Sequence, residues 1–123
     1  VLRGHGIQAG VFASPLLPGL NDSMESLRAL GSAVSQAGAS YFGGNVVFLR
    51  PCAKQVFLPF LEQRFPKLLD RYRRHFDHAD FLTGLYPSAM LERVNAVRGE
   101  FRLPRSPEDY VPPEAAGPQL TLF

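Results

Sequence analysis

The hydrophobic positions along this chain change period several times, and each change marks an element. Ile7 to Ala13 is a short apolar run bounded by glycine and proline, the form of a buried, parallel strand rather than of a helix. Ser14-Pro15-Leu16-Leu17-Pro18-Gly19-Leu20-Asn21-Asp22 follows as a stiff loop, with two prolines fixing φ and a glycine making the turn. Asp22 and Glu25 have capping-box spacing, and Leu27, Leu30, Val34 and Ala37 then recur at helical intervals up to a stop at Gly38. A second strand is predicted from Tyr41 to Leu49, centred on Val46-Val47-Phe48-Leu49. Strand, helix, strand is a βαβ unit, whose crossover makes its strands parallel. Two strands are too few for such a sheet, so further strands are expected upstream.

Three more helices are predicted. Phe57, Phe60, Leu61 and Phe65 form one stripe, with Pro59 tolerable only in a first turn. Pro66 opens the next helix, whose apolar face is Leu68, Leu69, Tyr72 and Phe76. Pro87 opens a last one carrying Met90, Leu91, Val94, Val97 and Phe101. Residues 1–102 are therefore expected to fold. From 103 to 123, Pro104, Pro107, Pro112, Pro113 and Pro118 mix with Glu108, Asp109 and Glu114, a composition that predicts an extended, mobile tail. Val1 to Gly6 reads as the end of a helix with its glycine stop, so the chain is expected to be the carboxy-terminal piece of a larger α/β protein.

Composition narrows the class. The 123 residues are 46% hydrophobic with ten phenylalanines, enough for a core. With 13 basic and 11 acidic residues the net charge of +2 names no partner. A single cysteine, Cys52, excludes an internal disulfide framework and suits a reducing, cytoplasmic compartment. No apolar run is long enough to span a bilayer, so no membrane partner is expected.

The run Gly6-Ile7, Gly10-Val11 and Ser14-Pro15-Leu16-Leu17-Pro18-Gly19-Leu20-Asn21-Asp22 resembles a late strand and loop of radical S-adenosylmethionine proteins. The nearest group is the DNA repair photolyase-like family, related to spore photoproduct lyase. Ala37-Gly38-Ala39, Val47-Phe48-Leu49-Arg50, Phe60-Leu61 and Arg64-Phe65-Pro66 are similar as well. The resemblance covers roughly residues 4–102. It implies an α/β fold: the C-terminal half of a partial (β/α) barrel, with additional C-terminal helices and a Pro-rich tail. It also implies S-adenosylmethionine and a 4Fe–4S cluster as cofactors of the full-length enzyme, which generate a 5′-deoxyadenosyl radical. Members hold that cluster with a Cys-x-x-x-Cys-x-x-Cys motif that leaves one iron open to S-adenosylmethionine. One cysteine cannot supply the motif, so the resemblance implies a piece that is inactive alone.

Ligands of open α/β sheets sit beyond the carboxyl ends of the strands. Those ends carry Ser14 and, after the second strand, Arg50 and Cys52. Ser14 and Asn21 are candidates for hydrogen bonds to cofactor, with Asn21 alternatively helping Asp22 to cap the helix. Arg50 either holds a carboxylate or phosphate or is a surface cation. Cys52 is a hydrogen-atom donor only by analogy with spore photoproduct lyase, and otherwise a packing residue. His75, His78, Asp77 and Asp80 lack the further ligands of a metal site and read as a solvated helix end. Lys67, Arg71 and Arg74 recur along one helical face, either a DNA-contacting stripe or simply its solvated side.

The chain ends Gln119-Leu120-Thr121-Leu122-Phe123, which matches the Gln-Leu-x-Leu-Phe peptide that docks bacterial polymerases and repair proteins on the β sliding clamp. Leu122 and Phe123 would fill an apolar pocket while Gln119 makes polar contacts; otherwise Leu120, Leu122 and Phe123 fold back onto the domain. The alternative to an enzyme piece is thus a non-catalytic α/β binding module that docks on a sliding clamp through this tail.

Overall fold

The computed structural model describes residues 2–106. Its order is a short 3-10 turn at Arg3–His5, then β1 (Val11–Leu16), α1 (Met24–Gln36), β2 (Phe42–Val46), α2 (Pro51–Arg64), α3 (Pro66–Phe76) and α4 (Leu85–Phe101). Of the predicted tail, residues 107–123, with the closing pentapeptide, lie outside the described residues. Its first residue, Leu103, is buried with the helices rather than extended away from them.

β1 and β2 are parallel neighbours, with Val11 opposite Phe42, Phe12 opposite Gly43 and Ala13 opposite Gly44. The fold is mixed α/β: a two-stranded parallel sheet and four helices among the described residues. None of those helices is long and apolar enough to cross a membrane.

The strands sit elsewhere than their apolar runs suggested. β1 begins at Val11 rather than Ile7, and Ile7 is half exposed. A parallel strand forms only where its partner offers hydrogen bonds, and β2 offers them over Phe42–Val46. β1 also runs on through Pro15, expected in a loop. The register breaks between Ala13 and Leu16, which accommodates the missing N–H, and the Ser14–Pro15 peptide is cis. In β2 the weight falls on Phe42, wholly buried; past Val46 the chain makes one more bond to β1, from the Val47 N–H to the Leu16 carbonyl at 3.0 Å, and an isolated bridge from Phe48 to Phe81.

α1 and α4 cover one face of the sheet. Leu16 and Phe42 from the strands meet Leu27 and Val34 of α1 and Val94 and Val97 of α4, with Leu103 closing the cluster. Gly31 makes the helix crossing tight, because a Cβ there would collide with Val97 and press on Phe101. A second core joins Val47, Leu49, Leu61, Leu69, Tyr72 and Phe76, so α2 and α3 pack beside the end of β2.

Three helix boundaries depart from expectation. Ser23, not Asp22, caps α1, its hydroxyl accepting the Ser26 N–H at 3.1 Å. The Asp22 carboxylate is committed instead to Gly19 and Tyr86. α2 starts at Pro51, which places Pro59 mid-helix rather than in a first turn. Pro59 is exposed, as is Gln55, whose carbonyl loses its helical partner there. Of the predicted α2 stripe Leu61 is fully buried, while Phe60 and Phe65 are more than 40% exposed. α4 opens at Leu85, two residues ahead of Pro87, after Gly84 at φ 78°.

Candidate functional site at the carboxyl ends of the strands

Side chains alternate across a strand, so β1 and β2 divide their residues between two faces. Val11, Ala13 and Phe42 face the helices. Phe12 and Gly43 face away, and by the same alternation Asn45 shares that open side; Ser14 lies exposed at the register break between Ala13 and Leu16. Phe12 is 60% exposed and its ring lies 2.8 Å from where a Gly43 Cβ would stand, so only glycine lets the ring lie flat on the sheet. Asn45 is exposed on the same face, and no motif in the sequence marks it. Its position opposite the helices, rather than its residue type, is what distinguishes it.

The loop after β1 is tied down from three sides. Asn21 accepts the Leu17 N–H at 2.6 Å and donates to the Pro15 carbonyl at 3.2 Å, so its amide is spent inside the loop. Asp22 accepts the Gly19 N–H at 2.8 Å and, through its other oxygen, the Tyr86 hydroxyl at 2.8 Å. Arg93 donates to the Asp22 carbonyl at 2.9 Å, and Tyr72, buried in the second core, donates to the Pro18 carbonyl at 3.0 Å. Burial raises the Tyr72 phenol above its ordinary range, helped by the charge of Asp22. Burial raises Tyr86 as well, with the hydrogen bond to Asp22 adding to it. Both phenols therefore stay protonated as donors at any physiological pH. The positive charge of Arg71 acts on both in the opposite sense.

After β2, Arg50 is the N-cap residue of α2, exposed and without a side-chain capping bond. Cys52 follows in the first turn of α2, exposed and free. Ser14 thus lies within β1, two residues before its end, and Arg50 lies four residues past the end of β2, so neither sits directly at the strand end expected for it. Lys54, close by, is occupied: it pairs with Asp80 at 3.1 Å and donates to the Ala79 carbonyl. Phe48 and Phe81 stack at 5.6 Å and are both at least half exposed, an aromatic surface that composition alone does not reveal.

Lys67, Arg71 and Arg74 all lie exposed on α3, opposite buried Leu69, Tyr72 and Phe76. Arg73, Arg74 and His75 occupy the last turn, where cations favour the negative end of the helix dipole. Among the described residues no group of three or more His, Cys, Asp or Glu side chains is arranged to hold a metal ion.

The chain is 32% identical over 129 residues to uncharacterized proteins of Mycobacterium bovis and of two strains of Mycobacterium tuberculosis. The match covers 99% of this chain and 37% of each relative, so the chain spans little more than a third of their length. No protein-family model matches the chain, and no solved structure does.

Proposed function

We propose that this chain is the C-terminal portion of a radical S-adenosylmethionine enzyme of the DNA repair photolyase-like kind. The observation that carries the reading is the one-sided sheet. Parallel strands joined by a helix, covered by α1 and α4 on one face and open on the other, have the geometry of a barrel wall seen from outside and inside. Asn45 then belongs to the inner face, Ser14 to the exposed register break in β1, and Arg50 to the rim where ligands of such folds sit.

The residues present fit part of the cofactor requirement. S-adenosylmethionine offers an adenosine with several hydrogen-bonding atoms and an amino-acid carboxylate. A hydroxyl from Ser14 and the amide NH2 of Asn45, whose oxygen already accepts the Val46 N–H at 3.0 Å, match the first, and a guanidinium from Arg50 matches the second. Asn21 serves the same site indirectly by holding the loop. The cluster is another matter: its three thiolates are not in this chain, whose one thiol is Cys52. A cluster held by the other part of the full-length protein would supply reducing power for cleaving S-adenosylmethionine. This chain's residues position the molecule, and alone they are inactive.

The basic face of α3 beside the loop and the Gln119–Phe123 motif suit an enzyme that works on DNA near a sliding clamp. The same two features are what the non-catalytic, clamp-docking module would retain if the enzyme reading fails.

The test is anaerobic reconstitution of a mycobacterial relative with iron and sulfide, beside the isolated chain. The relative is expected to show iron–sulfur absorbance and to convert S-adenosylmethionine to 5′-deoxyadenosine under reduction, and the isolated chain to do neither. A relative that binds no iron, or a chain that cleaves S-adenosylmethionine by itself, overturns the proposal.

A further inference from the structure

α4 ends beside the start of β2, and the junction gathers two cations. Arg102, in the left-handed conformation, stops the helix and turns the chain back, and the Leu103 N–H donates to the Arg98 carbonyl at 2.9 Å. The carbonyl of the next residue, Pro104, accepts the Phe42 N–H at 2.9 Å. Arg105 is thereby delivered to the outer edge of β2, next to the turn that bears Arg98. Neither arginine has an acidic partner among the described residues, where the ion pairs are Arg28 with Glu100 and Lys54 with Asp80. The Arg98 guanidinium bonds the neutral side chain of Asn95, which leaves its charge uncompensated.

A groove of about 500 Å³ runs from these arginines along the edge of β2, a volume within the range of small-molecule sites. Pro87, Leu91, Val94 and Arg98, spaced three or four apart, form its α4 wall, while Phe12 and Gly44 line it on the sheet side. Arg98 and Arg105 are its charged lining residues, and among the described residues no carboxylate borders it. Ser14 and Arg50 are not part of its lining, so it is separate from the site proposed above, with Asn45 as the shared member.

The edge itself selects between kinds of occupant. In the parallel pair the N–H groups of Gly43 and Asn45 point toward β1, and those of Phe42, Gly44 and Val46 point outward. Pro104 takes the first of the outward three, and the Asn45 side chain takes the last at 3.0 Å. The Gly44 N–H between them has no partner among the described residues. A docked peptide strand needs a row of open edge groups. One open donor suits a single acceptor atom of a small molecule.

We propose that this groove binds a small phosphate monoester with a planar apolar body. Two arginines without acidic partners match a phosphate monoester, which carries about −1.5 to −2 at neutral pH, better than they match a singly charged carboxylate. The body extends from them toward Pro87, between Leu91 of α4 and the ring of Phe12, both about half exposed. The Gly44 N–H meets a ligand oxygen along the way. Every group named lies in this chain, so the inference does not rest on the enzymatic reading.

The test is titration of the full chain with naphthyl phosphate, followed by calorimetry and by the Gly44 amide signal in NMR. The ester is expected to bind and to shift that signal. Naphthol, which lacks the phosphate, and inorganic phosphate, which lacks the body, are each expected to bind at least tenfold more weakly. Arg98→Ala and Arg105→Ala change side chains outside the core, and each is expected to weaken the ester at least tenfold. Arg64→Ala, an equal loss of charge at the end of α2, is expected to leave it unchanged. Absence of ester binding overturns the proposal, as does naphthol or inorganic phosphate binding as tightly as the ester. Unchanged binding in both groove variants, or a Gly44 signal that does not move, overturns it too.

Discussion

The Tyr86 hydroxyl donates to the Asp22 carboxylate at 2.8 Å, joining the loop after β1 to the first turn of α4 across 64 positions of sequence. Arg93, farther along α4, donates to the Asp22 carbonyl. α4 thus both covers the sheet and holds the loop at its carboxyl end, so loop geometry and core packing are linked through one helix.

Tyr86→Phe removes the donor and leaves the ring in place. A hydrogen bond to a charged acceptor contributes about 1.5–3 kcal/mol, and the partial exposure of this one puts the expected loss near the lower limit. Urea denaturation measures it; an unchanged midpoint would show that the bond contributes nothing. The pH dependence has a definite sign. Tyr72 and Tyr86 are both raised above the ordinary value of about 10, so the folded state holds protons that the unfolded chain releases. Their contribution is complete below pH ~10 and fades as pH rises beyond it. Tyr86→Phe should flatten that alkaline decline.

Two glycines in helices should respond oppositely to alanine. At Gly31 a Cβ meets Val97 and Phe101, and the overpacking, about 1–3 kcal/mol, outweighs the helix-propensity gain of up to ~1 kcal/mol. At Gly99 a Cβ meets nothing within 4 Å, so the propensity gain stands alone. Thermal melts should fall for Gly31→Ala and rise slightly for Gly99→Ala. A rise at Gly31 would mean that α1 and α4 cross less tightly than the Val97 and Phe101 distances require.

The exposed α3 stripe makes a quantitative prediction for duplex DNA. Replacing Lys67, Arg71 and Arg74 by alanine should lower the slope of log binding constant against log salt by about 2–3, near 0.9 for each phosphate no longer neutralised. Titrations at several salt concentrations decide it, and an unchanged slope would return α3 to the role of a solvated face.

A peptide ending at Phe123 is expected to bind the bacterial β sliding clamp with micromolar affinity. Leu122→Ala combined with Phe123→Ala should abolish binding measured by fluorescence anisotropy, because the two apolar side chains are the anchors. Equal binding by the doubly substituted peptide would remove the clamp from the account.

Much of the fold was legible in the order of residues, because some signals are local. Helical spacing from Leu27 to Ala37 with Gly38 after it, Pro66 at the start of α3, and the buried faces Leu69-Tyr72-Phe76 and Met90-Val94-Val97 all depend on residues within a few turns of one another. The parallel pairing of two strands around a helix followed from the same pattern.

Other features depend on partners far away in the chain and emerge only once it is folded. The limits of β1 are set by the hydrogen bonds β2 offers, so Ile7 lies outside the strand despite its apolar neighbours. Asp22 lost the capping role to Ser23 because Tyr86 and Gly19 claim its carboxylate. Asn45 became a site candidate once the helices were seen to cover the opposite face. Periodicity fixes how a segment divides into faces; which face is covered, and by what, is settled by contacts across the fold.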